Sequence, residues 1–130
     1  MNAGDFVGIA GIAGAAVGLD AVYLTLRQSF HDDFFHRLQK QPLRIRMLPA
    51  VLVYVLLITA VYLYAVRNAS RMEEAALRGA VIGFIMYAFY DLTNYATLAN
   101  YTLEMVIVDS LWGALLACAA AATGFYIKGL

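Results

Sequence analysis

The amino-acid sequence predicts an all-α membrane protein, a bundle of four transmembrane helices. Of the 130 residues, 63% are hydrophobic and 14% are charged, whereas a soluble domain has about 25% charged residues. A chain this short cannot hide so many apolar side chains in a core, because its surface is large relative to its volume. Four apolar stretches also reach about 20 residues, the length that crosses a hydrocarbon core.

The predicted spans cover residues 5–26, 47–66, 77–98 and 105–127 of a single domain, 1–130. Each span must be helical, because lipid offers the backbone no hydrogen-bond partners. The first span begins at Asp5 instead of a positively charged segment, and its apolar stretch is longer than that of a signal peptide. We therefore expect it to be a retained membrane helix.

The loop at residues 27–46 mixes charged residues with apolar ones at roughly helical spacing, which predicts a short interfacial amphipathic helix. These apolar residues are Phe30, Phe34, Phe35 and Leu38. His31, Asp32 and His36 of this loop are candidate metal ligands, because a spacing of four residues places Asp32 and His36 on one face of a helix. An exposed polar face is the alternative interpretation.

Three spans contain an aspartate, at Asp20, Asp91 and Asp109. A charge inside the membrane costs about 2.5–3.5 kcal/mol on insertion scales, so these positions need an explanation. We call the side on which the first span begins side A and the other side B. With a rise of ~1.5 Å per residue, all three aspartates lie in the side-B half, and Tyr54 of the second span reaches a similar depth.

Helical geometry adds neighbours to these aspartates. Asn94 and Tyr87 lie on the face of Asp91, at spacings of three and four residues. An Asp-x-aliphatic-aromatic pattern occurs twice, at residues 20–23 and 109–112. The candidate ligand- or ion-binding residues are Asp20, Tyr23, Tyr54, Tyr87, Asp91, Asn94, Asp109 and Trp112.

No lysine or arginine is expected at the depth of the aspartates. Like charges close together in a medium of low dielectric cannot all ionise, so at least one carboxyl must hold a proton or a cation must bind. The alternative is structural: Asp20 and Asp109 lie among headgroups, and Asp91 and Asn94 form hydrogen bonds that hold helices together.

Small residues form stripes at helical spacing, which allow helices to approach closely in lipid. The glycines expected at helix contacts, within the bundle or with another subunit, are Gly8, Gly11, Gly18, Gly79, Gly83 and Gly113.

Phosphate-loop, HExxH, Gly-x-Ser-x-Gly and CxxC motifs are all missing from the sequence, so it identifies neither a nucleophile nor a cofactor. A net charge of zero gives no reason to expect nucleic acid as a partner. We favour binding or transport of a proton, a cation or a small polar solute. The alternatives are a non-catalytic accessory or assembly subunit of a larger membrane complex, and a metal-dependent membrane enzyme acting on lipid.

The segments Tyr90-Asp91-Leu92-Thr93-Asn94 and Val108-Asp109-Ser110-Leu111-Trp112-Gly113 resemble the signature of a family of small membrane proteins, domain of unknown function 2177. Leu19-Asp20-Ala21-Val22-Tyr23-Leu24 is similar to its N-terminal element. The resemblance implies a four-helix integral membrane protein, mostly bacterial, and brings no activity or ligand with it. We expect an inner-membrane protein, or its equivalent in an organelle, with the lipid bilayer and a homodimer or larger complex as partners. Its orientation is not determined, because the nine basic residues divide almost evenly between the two sides.

Overall fold

The computed structural model describes residues 3–26 and 47–129, which form four long helices. Helix α1 covers Ala3–Leu26. Helix α2 covers Met47–Ala60 and continues directly as a π-helical segment, Val61–Val66. Helices α3 and α4 cover Met72–Thr97 and Leu103–Lys128.

All four helices are long and apolar enough to cross a membrane, which confirms the predicted all-α, four-helix membrane class. Helix α3 begins at Met72, five residues before the predicted span. The turn added at the start of α3 is charged, and its Glu74 forms a salt bridge of 2.6 Å with Arg78. Hydropathy therefore does not identify this turn as part of the helix. The interfacial helix expected in the first loop lies outside the described residues, as do His31, Asp32 and His36.

Helix α4 is the centre of the bundle, since it packs most extensively against α3 and then against α1. The side chains buried where the helices meet are small or aliphatic: Ile12, Ala16, Leu57, Val61, Leu116, Ala117, Ala120 and Ala121. Large apolar residues cover the outside of the bundle, and Phe89 and Leu56 are 75% and 65% exposed. Such a surface requires lipid as its solvent.

Glycines set the close approach of α3 and α4. A Cβ atom at Gly79 would lie 2.5 Å from the carbonyl oxygen of Ala117, and one at Gly83 would meet the carbonyl oxygen of Gly113. At Gly113 an added Cβ would overlap the ring of Tyr87. These three positions admit no larger residue without a shift of the helices, as a glycine contact in lipid requires.

The glycines of α1 have two different environments. Gly8 and Gly11 face the end of α4, where Cβ atoms would lie 3.1 Å from Lys128 Cβ and 2.9 Å from Ile127 Cδ1. Gly18 is exposed, with no described atom within 4 Å of its Cβ position, and Gly14 is equally open. Gly18 therefore makes no close packing contact with the described helices, because the stripe of glycines winds around α1 away from α4, and its contact with another subunit stays a prediction.

Candidate functional site

Asp20 receives hydrogen bonds from two neighbouring helices. The hydroxyl of Tyr54 in α2 donates to Asp20 Oδ2, and the indole N–H of Trp112 in α4 donates to Asp20 Oδ1 over 3.1 Å. Asp20 therefore joins three helices inside the bundle and does not point outward.

The two Asp-x-aliphatic-aromatic patterns meet through their aromatic residues. Tyr23 and Trp112 stack with ring centroids 4.3 Å apart and an angle of 11° between the planes. Because α1 and α4 run in opposite directions, each aromatic residue lies beside the other helix. Trp112 consequently donates its hydrogen bond to Asp20, the aspartate of the opposite pattern.

Asp91 is completely buried. The hydroxyl of Tyr101 donates to Asp91 Oδ1 over 2.6 Å, and the side chain of Asn94 hydrogen-bonds the same hydroxyl. Tyr101 lies in the short turn between α3 and α4, and its side chain folds back into the bundle, where it is only 5% exposed. The turn thus covers Asp91 on side B.

The carboxyl groups of Asp91 and Asp109 lie within hydrogen-bonding reach of each other. The pairing follows from the register of two antiparallel helices. Tyr87 of α3 contacts Gly113 of α4; four residues further along α3 is Asp91, and four residues back along α4 is Asp109. One turn of helix from the glycine contact, the two carboxyls therefore face each other.

Tyr87 lies between Asp20 and the pair formed by Asp91 and Asp109. It interacts electrostatically with Asp20 on one side and with Asp91 and Asp109 on the other, as well as with Tyr54. Asp109 also interacts with Asp20. We call these five residues the polar layer: Asp20, Tyr54, Tyr87, Asp91 and Asp109. The structure thus brings together all three predicted aspartates and both tyrosines, with Tyr23, Asn94 and Trp112 around them.

The described basic residues lie far from the polar layer. Arg78 precedes Asp91 by 13 positions on α3, and Lys128 follows Asp109 by 19 positions on α4. At ~1.5 Å per residue these separations are about 20 and 28 Å along the helices. Within the described chain, no three His, Cys, Asp or Glu side chains are arranged to hold a metal.

An apolar layer separates the polar layer from side A. On each of three helices, the next inward residues toward side A are aliphatic or small, and they form part of the buried core: Ile12 and Ala16 on α1, Leu57 and Val61 on α2, and Leu116 and Ala120 on α4. On α3 the equivalent positions are the tightly packed Gly79 and Gly83. Among the described residues, these positions place apolar packing between the polar layer and side A.

A second polar group, the side-A cluster, lies at the opposite end of the bundle and consists of Asp5, Tyr62 and Lys128. The hydroxyl of Tyr62, in the π-helical segment, donates to Asp5 Oδ1. Lys128 Nζ lies 3.5 Å from the same oxygen and donates to the carbonyl oxygen of Arg67 over 3.2 Å. The cluster fastens the side-A ends of α1, α2 and α4.

Sequence reasoning missed Tyr101 and the side-A cluster. Tyr101 lies in the turn that follows α3, and this turn is so short that the side chain of Tyr101 stays near Asp91. The short length of the turn was the signal in the sequence. Asp5 and Lys128 lie at the first and last turns of their helices, where antiparallel packing brings the two ends together. The π-helical segment gave no sequence signal.

Fold and site together define a polytopic integral membrane protein of four helices with a buried carboxylate layer. A family model described as predicted membrane protein (DUF2177) matches residues 6–126. The chain belongs to this family. No curated protein and no solved structure matches it.

Proposed function

We propose that this protein binds a proton or a small cation in the polar layer and moves it within the membrane, as a transport-type protein. The observation that carries the proposal is the meeting of carboxyls from α1, α3 and α4 at one depth, about 20 Å or more along the helices from the described basic side chains. Intramembrane carboxyls without basic partners are typical of proton and cation pathways.

The tyrosines support handling of a proton or cation in preference to a larger solute. Tyr54, Tyr87 and Tyr101 fill the space around the carboxyls with hydroxyl groups, which donate and accept hydrogen bonds. Asp91 is fully buried, so a ligand must be small or must enter after a rearrangement. Passage to side A also requires the apolar layer to open.

Reconstitution tests the proposal. Purified protein in lipid vesicles should carry protons or alkali cations across the bilayer when an ion gradient and a membrane potential are imposed, measured with a dye inside the vesicles. Asp91→Asn should abolish this flux because it removes the charge while keeping the shape. Asp5→Asn, in the side-A cluster, is the matched control and should retain flux.

Absence of flux from folded native protein under both gradients would remove the transport proposal. Equal flux in the native protein and in Asp91→Asn would also do so, because it would assign the activity to another part of the protein. Folding of each variant is checked by circular dichroism and by elution as a single species in detergent.

A non-catalytic accessory role is the second candidate, and the open face of α1 favours it. Gly14 and Gly18 have no described neighbour within 4 Å, and such small residues in lipid suit close contact with another helix. Gly18→Cys in a Cys118→Ala background distinguishes the partners. A disulfide-linked homodimer in native membranes supports a transporter built from two copies, whereas cross-linking to one other protein supports the accessory role.

A further inference from the structure

The carboxyls of Asp91 and Asp109 lie within hydrogen-bonding reach of each other, and a hydrogen bond between them requires a proton. Two ionised carboxylates are both acceptors, so they share a hydrogen bond only when one of them is a carboxylic acid. Asp91 is completely buried, and its Oδ2 atom receives no hydrogen bond from any N–H or from the hydroxyl of any Ser, Thr or Tyr among the described residues. A hydrogen bond at this atom therefore needs a proton that one of the two carboxyls carries.

The two carboxyls have different surroundings. Asp91 Oδ1 accepts a hydrogen bond from Tyr101, so Asp91 already acts as an acceptor toward one neighbour. Burial raises the pKa of Tyr101, and the hydrogen bond to Asp91 raises it further. Tyr101 therefore stays neutral and continues to donate at physiological pH.

The described residues place no such donor on Asp109. Its interacting groups among the described residues are the acids Asp91 and Asp20 and the phenols Tyr87 and Tyr101, and its side chain is only partly exposed. Burial and negative neighbours both favour the neutral form of a carboxyl. Among the described residues, the remaining titratable group that faces the pair is Tyr87 from α3, a neutral phenol that also interacts with Tyr54 of α2, while Asn94 is an uncharged amide.

We propose that Asp109 holds a single proton that it donates to the Asp91 carboxylate, and that Tyr101 is the positioning residue that fixes this direction. The proposal rests on the proposed function and deepens it, because it names the proton as the ligand and Asp109 as its carrier. Tyr101 covers Asp91 on side B, so proton exchange with that side requires movement of the α3–α4 turn.

Chemical labelling tests the position of the proton. Dicyclohexylcarbodiimide is an apolar reagent that reacts with protonated carboxyls inside membranes, and the adduct is located by mass spectrometry of peptides. In lipid vesicles at neutral pH, we expect several-fold more adduct on Asp109 than on Asp91 or Asp20. More adduct on Asp91 than on Asp109, or no adduct on either residue, would overturn the proposal.

The role of Tyr101 is tested by Tyr101→Phe, which removes the donor to Asp91 and keeps the ring. The ratio of Asp109 adduct to Asp91 adduct should move toward equality in this variant. Tyr95→Phe is the control, since Tyr95 is exposed to lipid near the same end of α3, and the ratio should not change. An unchanged ratio in Tyr101→Phe would show that Tyr101 does not fix the direction.

Infrared spectroscopy gives a second readout that does not depend on access of a reagent. The native protein should show the carbonyl stretch of a carboxylic acid, shifted in heavy water, and Asp109→Asn should lose it while keeping an amide donor to Asp91. A band that persists unchanged in Asp109→Asn would overturn the proposal. A proton on Asp109 in a protein that shows no flux would support this inference and contradict the transport proposal. Flux in a protein whose proton lies on another residue would support transport and contradict this inference.

Discussion

The indole N–H of Trp112 in α4 donates a hydrogen bond to Asp20 in α1 over 3.1 Å, although 92 positions separate the two residues in the chain. The same indole ring stacks on Tyr23, one turn beyond Asp20. With the hydroxyl of Tyr54 on the other carboxylate oxygen, this contact ties α1, α2 and α4 together at the depth of the polar layer. The hydrogen bonds to Asp20 therefore stabilise the bundle as well as positioning a residue of the polar layer.

Tyr54→Phe should lower the free energy of unfolding by about 1.5–3 kcal/mol, the usual worth of a hydrogen bond to a charged group. The control is Tyr64→Phe, ten residues along the same span, where the side chain is half exposed to lipid; it should change stability by less than about 0.5 kcal/mol. Unfolding in mixed micelles measures both. Equal effects of the two substitutions would show that the Tyr54 hydroxyl is not bonded to Asp20.

Gly83→Ala should destabilise the bundle by about 1–3 kcal/mol, because its methyl group would overlap the carbonyl of Gly113 and force α3 away from α4. Gly14→Ala, a matched change at an open position, should be neutral or stabilise by up to about 1 kcal/mol through helix propensity. The midpoint of thermal unfolding in detergent reports both. A loss of stability in Gly14→Ala of the same size would reveal a partner on that face.

The side-A cluster should contribute to stability without taking part in proton binding. Asp5 and Lys128 are 15% and 27% exposed, so their pairing should be worth about 0.2–1 kcal/mol and should weaken in high salt. A double-mutant cycle with Asp5→Asn and Lys128→Gln measures it. A coupling above that range, or loss of carbodiimide labelling at Asp109 in either variant, would mean that the two ends of the bundle are linked.

The hydrogen bond from Tyr101 should persist over a wide pH range. Because burial raises the folded-state pKa of Tyr101 above its usual value of about 10, the native state holds the phenolic proton more tightly than the unfolded state. The resulting stability is fully present below about pH 10 and is lost as the pH rises through the raised pKa. The difference in unfolding free energy between the native protein and Tyr101→Phe should therefore be constant from neutral pH to about pH 10 and smaller above it. A difference that vanishes near neutral pH would contradict this assignment.

The depth of the carboxyls was predictable from the sequence because it depends only on helix length and rise. Asp20, Asp91, Asp109 and Tyr54 needed no knowledge of helix rotation to be placed in one half of the membrane. Lipid fixes where each helix lies along the membrane normal, so a count of residues suffices. The predicted four-helix class followed from the same reasoning.

The rotation of each helix was not predictable from the sequence. Gly18 shares the spacing of Gly11 but faces away from α4, since a stripe that is small on several sides does not reveal which side is packed. Trp112 donates to Asp20 on another helix, and such a partner is set by packing between helices. Tyr101 was missed because propensity does not show where the side chain of a turn residue points.

The central claim is that carboxyls on different helices meet inside the bundle, and cross-linking tests it most directly. Asp91→Cys and Asp109→Cys are combined in a Cys118→Ala background, treated with a short reagent that joins two thiols, and the free thiols are counted by mass spectrometry. The account predicts efficient joining of this pair and little joining of Phe89→Cys with Leu111→Cys, which lie at similar depths and face lipid. Joining of the lipid-facing pair in place of the aspartate positions would contradict the account.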